Sequence, residues 1–440
     1  MSQSTPPSHG SDAVVPSRYL APFILVTSLF ALWGFANDIT NPMVAAFKNV
    51  LLLSHFESSL VQAAFYGGYC VMAIPAALFI RRFGYKSGVI MGLALYAAGC
   101  LLFVPAGKTM LFSAFLGAYF IMTCGLAFLE TTANPYILAM GPDHNAARRL
   151  NFAQAFNPVG SICGMFVAKE FILARLDKAD EAARLAMSET DPAGLLAIQQ
   201  NDLGVIVTPY VVLGCVVGVV FLAFALAPLP TGETYDVGDK RIGAQLGRLF
   251  TNRRYVEGVI AQAFYVGAQI MCWTFIIQYA EDVVNMPKEN AQGLNMVAMG
   301  IFIGSRWICT YLMKYFQPAM MLATFAAIAI LLVLGVILLP GQIGLGCLIG
   351  VSACMSLMFP TIYGIALEGL GDDAKLASAG LICAIGGGCV MPPLQASIMD
   401  LDAFNFGAMT LSSTRVSFIL PLICFVVVGL YGLRSRHRTA

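Results

Sequence analysis

Long apolar stretches separated by short polar or charged interruptions run almost the whole length of the chain. A helix needs about 20 mainly apolar residues to cross the hydrocarbon core of a bilayer. The pattern predicts twelve such helices, over 19–47, 57–83, 86–105, 109–141, 149–173, 205–229, 254–281, 290–314, 318–339, 342–369, 375–399 and 411–433. Residues 1–18 are polar and rich in Pro and Ser, without the basic-then-apolar order of a cleaved leader, so they read as a disordered tail before a retained first helix.

Composition turns this pattern into a requirement. With 58% hydrophobic and 11% charged residues and a mean hydropathy of +0.77, the chain cannot cover itself with polar surface, and lipid must be its solvent. Basic residues near helix ends stay on the cytoplasmic side, which sets the orientation. With both termini inside, sixteen of the 25 basic residues lie on that side, among them Arg81, Arg82, Lys86, Arg148, Arg149, Arg253, Arg254, Arg434, Arg436 and Arg438. Seven lie outside, and Arg306 and Arg415 fall within helices. The net charge of +1 points to no nucleic-acid partner. The twelve cysteines, Cys70, Cys124, Cys163, Cys272 and Cys389 among them, lack paired-ligand or disulfide spacing and read as small packing residues, with no metal site.

The polar run from about Pro230 to Arg254 predicts a cytoplasmic linker, 230–253, between a bundle at 19–229 and another at 254–433, with a basic tail at 434–440. The two halves echo each other. LETTANPYILAMG in the fourth helix lies over CMSLMFPTIYGIALEGLG in the tenth, matching Pro135 to Pro360, and RRLNFAQAFNPVGSICG in the fifth lies over KLASAGLICAIGGGCV in the eleventh. Repeats of this kind mark transporters that rock two bundles about a midplane site. Five residues before the matched prolines stand Glu130 in one half and Met355 in the other, so the charged chemistry sits in one half.

Ionisable groups deep in a span are functional candidates. Asp38 and Glu130 are the acids read as well inside a helix, and the four histidines lie in tails or loops, so a proton relay would use carboxylates. Glu130 stands one turn before Asn134, with Pro135 removing a backbone donor. Burial disfavours a charged carboxyl and opening to water restores it, so one Glu can load and release a proton. A Glu held protonated against a neighbouring helix is the competing reading. The first helix offers Trp33, Asn37, Asp38 and Asn41 just before Pro42; Trp33, Asn37 and Asn41, four apart, share a face. Amides and a carboxylate match sugar hydroxyls, and an indole suits the apolar face of a pyranose. Polar contacts between packed helices would use the same residue types.

Asn151, Gln154 and Asn157 recur every three residues in the fifth helix, and Gln262, Tyr265, Gln269 and Trp273 recur at three, four and four in the seventh. Two such faces, one in each half, together with the first and fourth helices, predict a lined cavity. Arg306 lies about 12 Å before the cytoplasmic end of the eighth helix; snorkelling and a role in gating or substrate contact both fit. The run IGGGCVMPP lacks the Lys and Ser/Thr of a nucleotide loop and reads as close helix packing.

The segments FALWGFAN, AAFYGGYCVMAIPAA, CGLAFLETTANP, RLNFAQAFNPVG, AQAFYVGAQIMCW and MFPTIYGIALEGLG resemble the L-fucose/proton symporter family of the major facilitator superfamily along nearly all twelve helices. The turn AALFIRRFGYKSG looks like a degenerate form of that superfamily's short-loop signature, with Arg81 where an acid is usual. The resemblance implies an all-α membrane protein of twelve transmembrane helices in two pseudo-symmetric six-helix bundles, the major facilitator fold, in the bacterial inner membrane. It places the family's proton-carrying Glu on Glu130 and its Asn on Asn134. The family's polar positions on the fifth and seventh helices fall on Gln154, Asn157, Gln269 and Trp273, and its intramembrane Arg falls on Arg306. In the first helix the family's acid position holds Asn41, and the acid here is Asp38, three residues earlier and about 4.5 Å along the axis.

The expected activity is therefore import of a hexose, L-fucose or a relative, with one proton, by a monomer that needs no cofactor. A proton-driven exporter of apolar compounds would use the same fold with a less amide-rich cavity. An enzyme would need a nucleophile, ligand cluster or phosphate loop, and no such spacing is present.

Overall fold

The computed structural model describes residues 15, 17–140, 152–227, 240–313, 315–339, 341–370, 374–406 and 409–436. Asn151, Arg148, Arg149, most of the N-terminal tail, 230–239 of the linker and the last four residues lie outside the described residues.

Among the described residues, ten helices are long and apolar enough to cross a membrane: Leu20–Leu51, His55–Ile80, Arg82–Thr109, Phe112–Asn134, Phe152–Arg175, Pro192–Leu226, Pro318–Leu338, Gly341–Leu367, Ala379–Met399 and Ser413–Ser435. Between the sixth and seventh of these, Arg253–Thr274 and Ile276–Val284 form one span bent by 45°. Lys288–Leu312 completes the set. Its 25 residues reach about 37 Å, beyond a hydrocarbon core of about 30 Å, while Lys288, Glu289 and Arg306 lower its hydropathy. Numbered in chain order these are the first to twelfth spans, in agreement with the twelve predicted.

One boundary is corrected. The sixth span begins at Pro192, thirteen residues before the predicted 205, because Asp191 caps it by accepting from the Gly194 amide at 3.0 Å and Pro192 suits a first helical position. Much of the stretch between the predicted fifth and sixth helices is thus helical, including a short helix Glu181–Thr190 capped by Asp180. The described part of the linker is also helical, Lys240–Thr251. Gly84, with φ of 81°, is the non-helical kink within His55–Leu101 at which the chain turns from the second span into the third, a conformation that costs glycine little.

The fourth span packs on the second and third, the first on the fifth, the ninth on the twelfth, and the tenth on the seventh and eighth. Across the two halves, the second span meets the eleventh and the fifth meets the eighth. Close approach depends on small residues. A Cβ at Gly160 would stand 1.9 Å from the Ala31 carbonyl oxygen of the first span, and one at Gly387 would stand 2.0 Å from the Ala263 oxygen of the seventh. The glycine run of the eleventh span is therefore a packing device, as its sequence suggests.

One end of the molecule carries a two-stranded hairpin, Phe404–Phe406 paired with Met409–Leu411, ahead of the twelfth span. At this hairpin end the Asp400 carboxylate accepts from the backbone N–H groups of His55 and Phe56, each at 2.7 Å. It thereby caps the second span from the opposite half, completing the Ser54–Glu57 capping box.

Candidate functional site

The first span stays helical past Asn41, which keeps αR geometry before Pro42. Trp33 and Asn37 are half-buried, whereas Asp38 and Asn41 are buried. Asn37 accepts from the Tyr66 hydroxyl of the second span at 2.9 Å. Asp38 accepts from the Asn41 amide at 3.2 Å, and Ser161 of the fifth span and Asn37 face the same carboxyl. Asn41 in turn accepts from Gln62 of the second span at 3.1 Å, and Gln62 also donates to Thr274 of the seventh span at 3.0 Å.

On the fourth span Glu130 is buried, and its Oε2 has no hydrogen-bond partner among the described residues. The Tyr69 hydroxyl lies near both Glu130 and Trp33, which draws the first, second and fourth spans to one place. The Asn134 side chain donates to the Glu130 carbonyl at 3.2 Å and accepts from Gln154 at 3.1 Å. Asn157 instead donates to the Phe30 carbonyl at 3.3 Å, tying the fifth span to the first. The two fifth-span amides therefore join different neighbours.

In the second half, Gln262 is fully buried, with neither amide atom hydrogen-bonded among the described residues, and Gln269 is half-buried. Trp273 donates its indole N–H to Ser352 of the tenth span at 3.1 Å and packs edge-on against Phe302 of the eighth. Tyr265 donates to the Met355 carbonyl at 2.9 Å, and Arg306 donates through Nε to the Ser356 carbonyl at 3.2 Å while covering the Phe302 ring. These carbonyls are open because the tenth span breaks between Met355 and Met358. Tyr265 and Arg306 thus meet at that break, with Trp273 bonded to Ser352 just before it.

Several polar residues of this region escaped the sequence reading. Gln62, Thr274, Gln278, Gln292 and Asn295 are buried, with Asn295 donating to the Trp273 carbonyl at 3.3 Å and to Gln292 at 3.3 Å. The signal for the last pair was their three-residue spacing in the eighth span. Asp202, which the predicted span 205–229 leaves out, is buried inside the sixth span and bonded to Arg184 at 2.6 Å, both fully buried. A cavity of about 1070 Å³ between the first, fifth and sixth spans, walled by Leu32, Phe35, Val159 and Val212, is separate from the sugar and proton candidates. Among the described residues no cluster could hold a metal ion.

Amides, two indoles, two buried acids and one arginine carried on the first, fourth, fifth, seventh and eighth spans can bind a polyhydroxylated solute and move a proton. They offer no activated nucleophile.

The Major Facilitator Superfamily model matches residues 25–421. The chain is 53% identical to the L-fucose-proton symporter of Haemophilus influenzae, covering 96% of this chain and 98% of that one. It is 34% identical to the L-fucose-proton symporter of Escherichia coli, covering 98% and 96%. The crystal structure of the major facilitator transporter FucP in the outward conformation superposes with a TM-score of 0.71 at 32% identity, covering 95% of this chain and 99% of that one. This chain belongs to the Major Facilitator Superfamily, in its L-fucose/proton symporter family.

Proposed function

We propose that this chain is a proton-coupled symporter that imports a hexose, L-fucose foremost, by alternating access. The observation that carries the reading is 53% identity, over almost the whole of both chains, with a protein named an L-fucose-proton symporter. It is a transporter and not an enzyme, and the amide-rich interior favours a sugar over the apolar cargo of an exporter.

The working parts are two bundles, 19–229 and 254–433, joined by the linker 230–253, in the bacterial inner membrane with both termini cytoplasmic. In that orientation the hairpin end faces outward and is held shut by Asp400. Sugar is held by Trp33, Asn37, Asp38, Asn41 and Asn134, by Gln154 and Asn157, and from the other half by Gln262, Gln269 and Trp273. Glu130 carries the proton with help from Asp38, and Arg306 contributes to gating. Support for Glu130 comes from its burial and its unpartnered Oε2; support for Gln262 comes from an amide with both atoms buried and unpaired. The monomer is the functional unit.

The test is uptake of radiolabelled L-fucose, galactose, glucose and N-acetylglucosamine in cells lacking their own carriers, with external pH recorded after sugar addition. Saturable uptake with alkalinisation is expected, strongest for L-fucose. Uptake of none of the four would overturn the assignment.

A further inference from the structure

Four polar side chains form an unbroken hydrogen-bonded line through the interior. Asn41 Nδ2 donates to Asp38 Oδ1 at 3.2 Å, and Gln62 Nε2 donates to Asn41 Oδ1 at 3.1 Å and to Thr274 Oγ1 at 3.0 Å. All four are at most 1% exposed. The line starts on the first span, passes through the second, and ends on the seventh, so its last bond joins the two halves 212 positions apart in sequence.

The chemistry of the line is directional. An ionised carboxylate only accepts, so it compels Asn41 to turn its NH₂ toward Asp38 and its carbonyl oxygen toward Gln62. Gln62 must then turn its own NH₂ toward Asn41, and the second N–H of that group reaches Thr274. This arrangement leaves Gln62 Oε1 buried without a partner among the described residues, so the turn of this amide is set by Asn41 and Thr274 alone. A protonated carboxyl can donate as well as accept and no longer dictates the turn of either amide.

We propose that Asn41, Gln62 and Thr274 are positioning residues that make closure between the two halves depend on the charge of Asp38. The ionised acid fixes both amides and holds the Gln62–Thr274 bond; the neutral acid releases them. The groups that face Asp38 and its turn from the packed elements are Tyr66 of the second span, which donates to Asn37, Ser161 of the fifth and Tyr210 of the sixth, beside Thr40. Glu130 lies on the fourth span beside Tyr69. The inference needs two halves that separate and rejoin, but not a particular sugar.

The experiment is a double-mutant cycle read as a distance. Spin labels carried on unnatural amino acids replace Leu185 and Leu401, both exposed at the hairpin end and in opposite halves, and distance distributions are recorded in proteoliposomes without sugar. Asp38→Asn, which cannot ionise, and Thr274→Val, which keeps the volume but not the hydroxyl, should each enlarge the long-distance population. The double variant should show the same enlargement as either single change, and Thr274→Ser should restore the wild-type distribution. A bond that only packs the halves would give additive shifts, and additive shifts, or no shift with Asp38→Asn alone, overturn the proposal. Gln62→Met in place of Thr274→Val repeats the cycle should the valine variant not fold. Because no sugar is present, the distances test the relay even in a chain that takes up no hexose.

Discussion

Arg306 donates its Nε–H to the carbonyl oxygen of Ser356 at 3.2 Å, the carbonyl that Pro360, four residues on, leaves without its helical donor. The guanidinium of the eighth span is thereby anchored to the break in the tenth, over the Phe302 ring at 4.7 Å. Neighbouring carbonyls are satisfied in the same way, that of Ala353 by Ser305 at 2.8 Å and that of Met355 by Tyr265 at 2.9 Å.

Arg306→Lys should therefore not be silent, since an ammonium keeps the charge but loses the planar Nε–H and the ring contact. A charge-assisted hydrogen bond contributes about 1.5–3 kcal/mol, less at a solvent-exposed group. Initial-rate uptake should show KM raised roughly tenfold, equivalent to about 1.4 kcal/mol, with Arg306→Gln raised further. Wild-type KM in the lysine variant would assign the arginine to snorkelling alone.

Asp400 bridges to the N–H groups of His55 and Phe56 at 2.7 Å, so Asp400→Ala should weaken closure of the hairpin end. If that end faces outward, the variant rests more often open to external sugar. A larger competent fraction lowers the apparent dissociation constant in proportion. External KM should fall several-fold while the maximal rate also falls, because the closing step has lost two bonds. A raised KM at unchanged rate would refute the latch.

The buried ion pair Arg184–Asp202 clips the short helix Glu181–Thr190 onto the sixth span, with Arg184 also donating to the carbonyls of Ala179 at 3.0 Å and Asp177 at 3.3 Å. Removing one partner of such a pair strands a buried charge at about 3–5 kcal/mol. Asp202→Ala should lower the thermal midpoint in detergent markedly. Lys48→Ala, which breaks the half-exposed pair with Glu181, should change it little, as partly exposed pairs contribute about 0–1 kcal/mol. Equal midpoints for the two variants would contradict the burial argument.

The spans were legible because a run of apolar residues is a local signal and lipid demands a fixed length of it. The start of the sixth span was hidden for the converse reason. Asp191 and Asp202 look like loop acids in one dimension, yet one is a helix cap and the other meets Arg184, a partner on a separate helix. Trp273 and Arg306 could be singled out by type and spacing, but not their partners Ser352 and Ser356, which are set by how the tenth span lies against the seventh and eighth. Gln62 stood as a lone amide in an apolar run, and nothing in its neighbourhood could pair it with Thr274 across 212 positions.

Glu130 offers the sharpest test of coupling. Its side chain is buried with Oε2 unpartnered among the described residues, and its backbone carbonyl holds Asn134, which holds Gln154. Glu130→Gln preserves size and hydrogen-bonding capacity and leaves that backbone contact untouched, but it removes the ability to exchange a proton with water as the cavity opens and closes. Sugar–sugar counterflow should stay within about threefold of wild type, a difference below about 1 kcal/mol, while uphill accumulation and sugar-induced alkalinisation disappear. Glu130→Asp, still ionisable, should retain some of both. Counterflow and accumulation lost together would make Glu130 a binding or structural residue, and accumulation preserved in the glutamine variant would move the proton to Asp38.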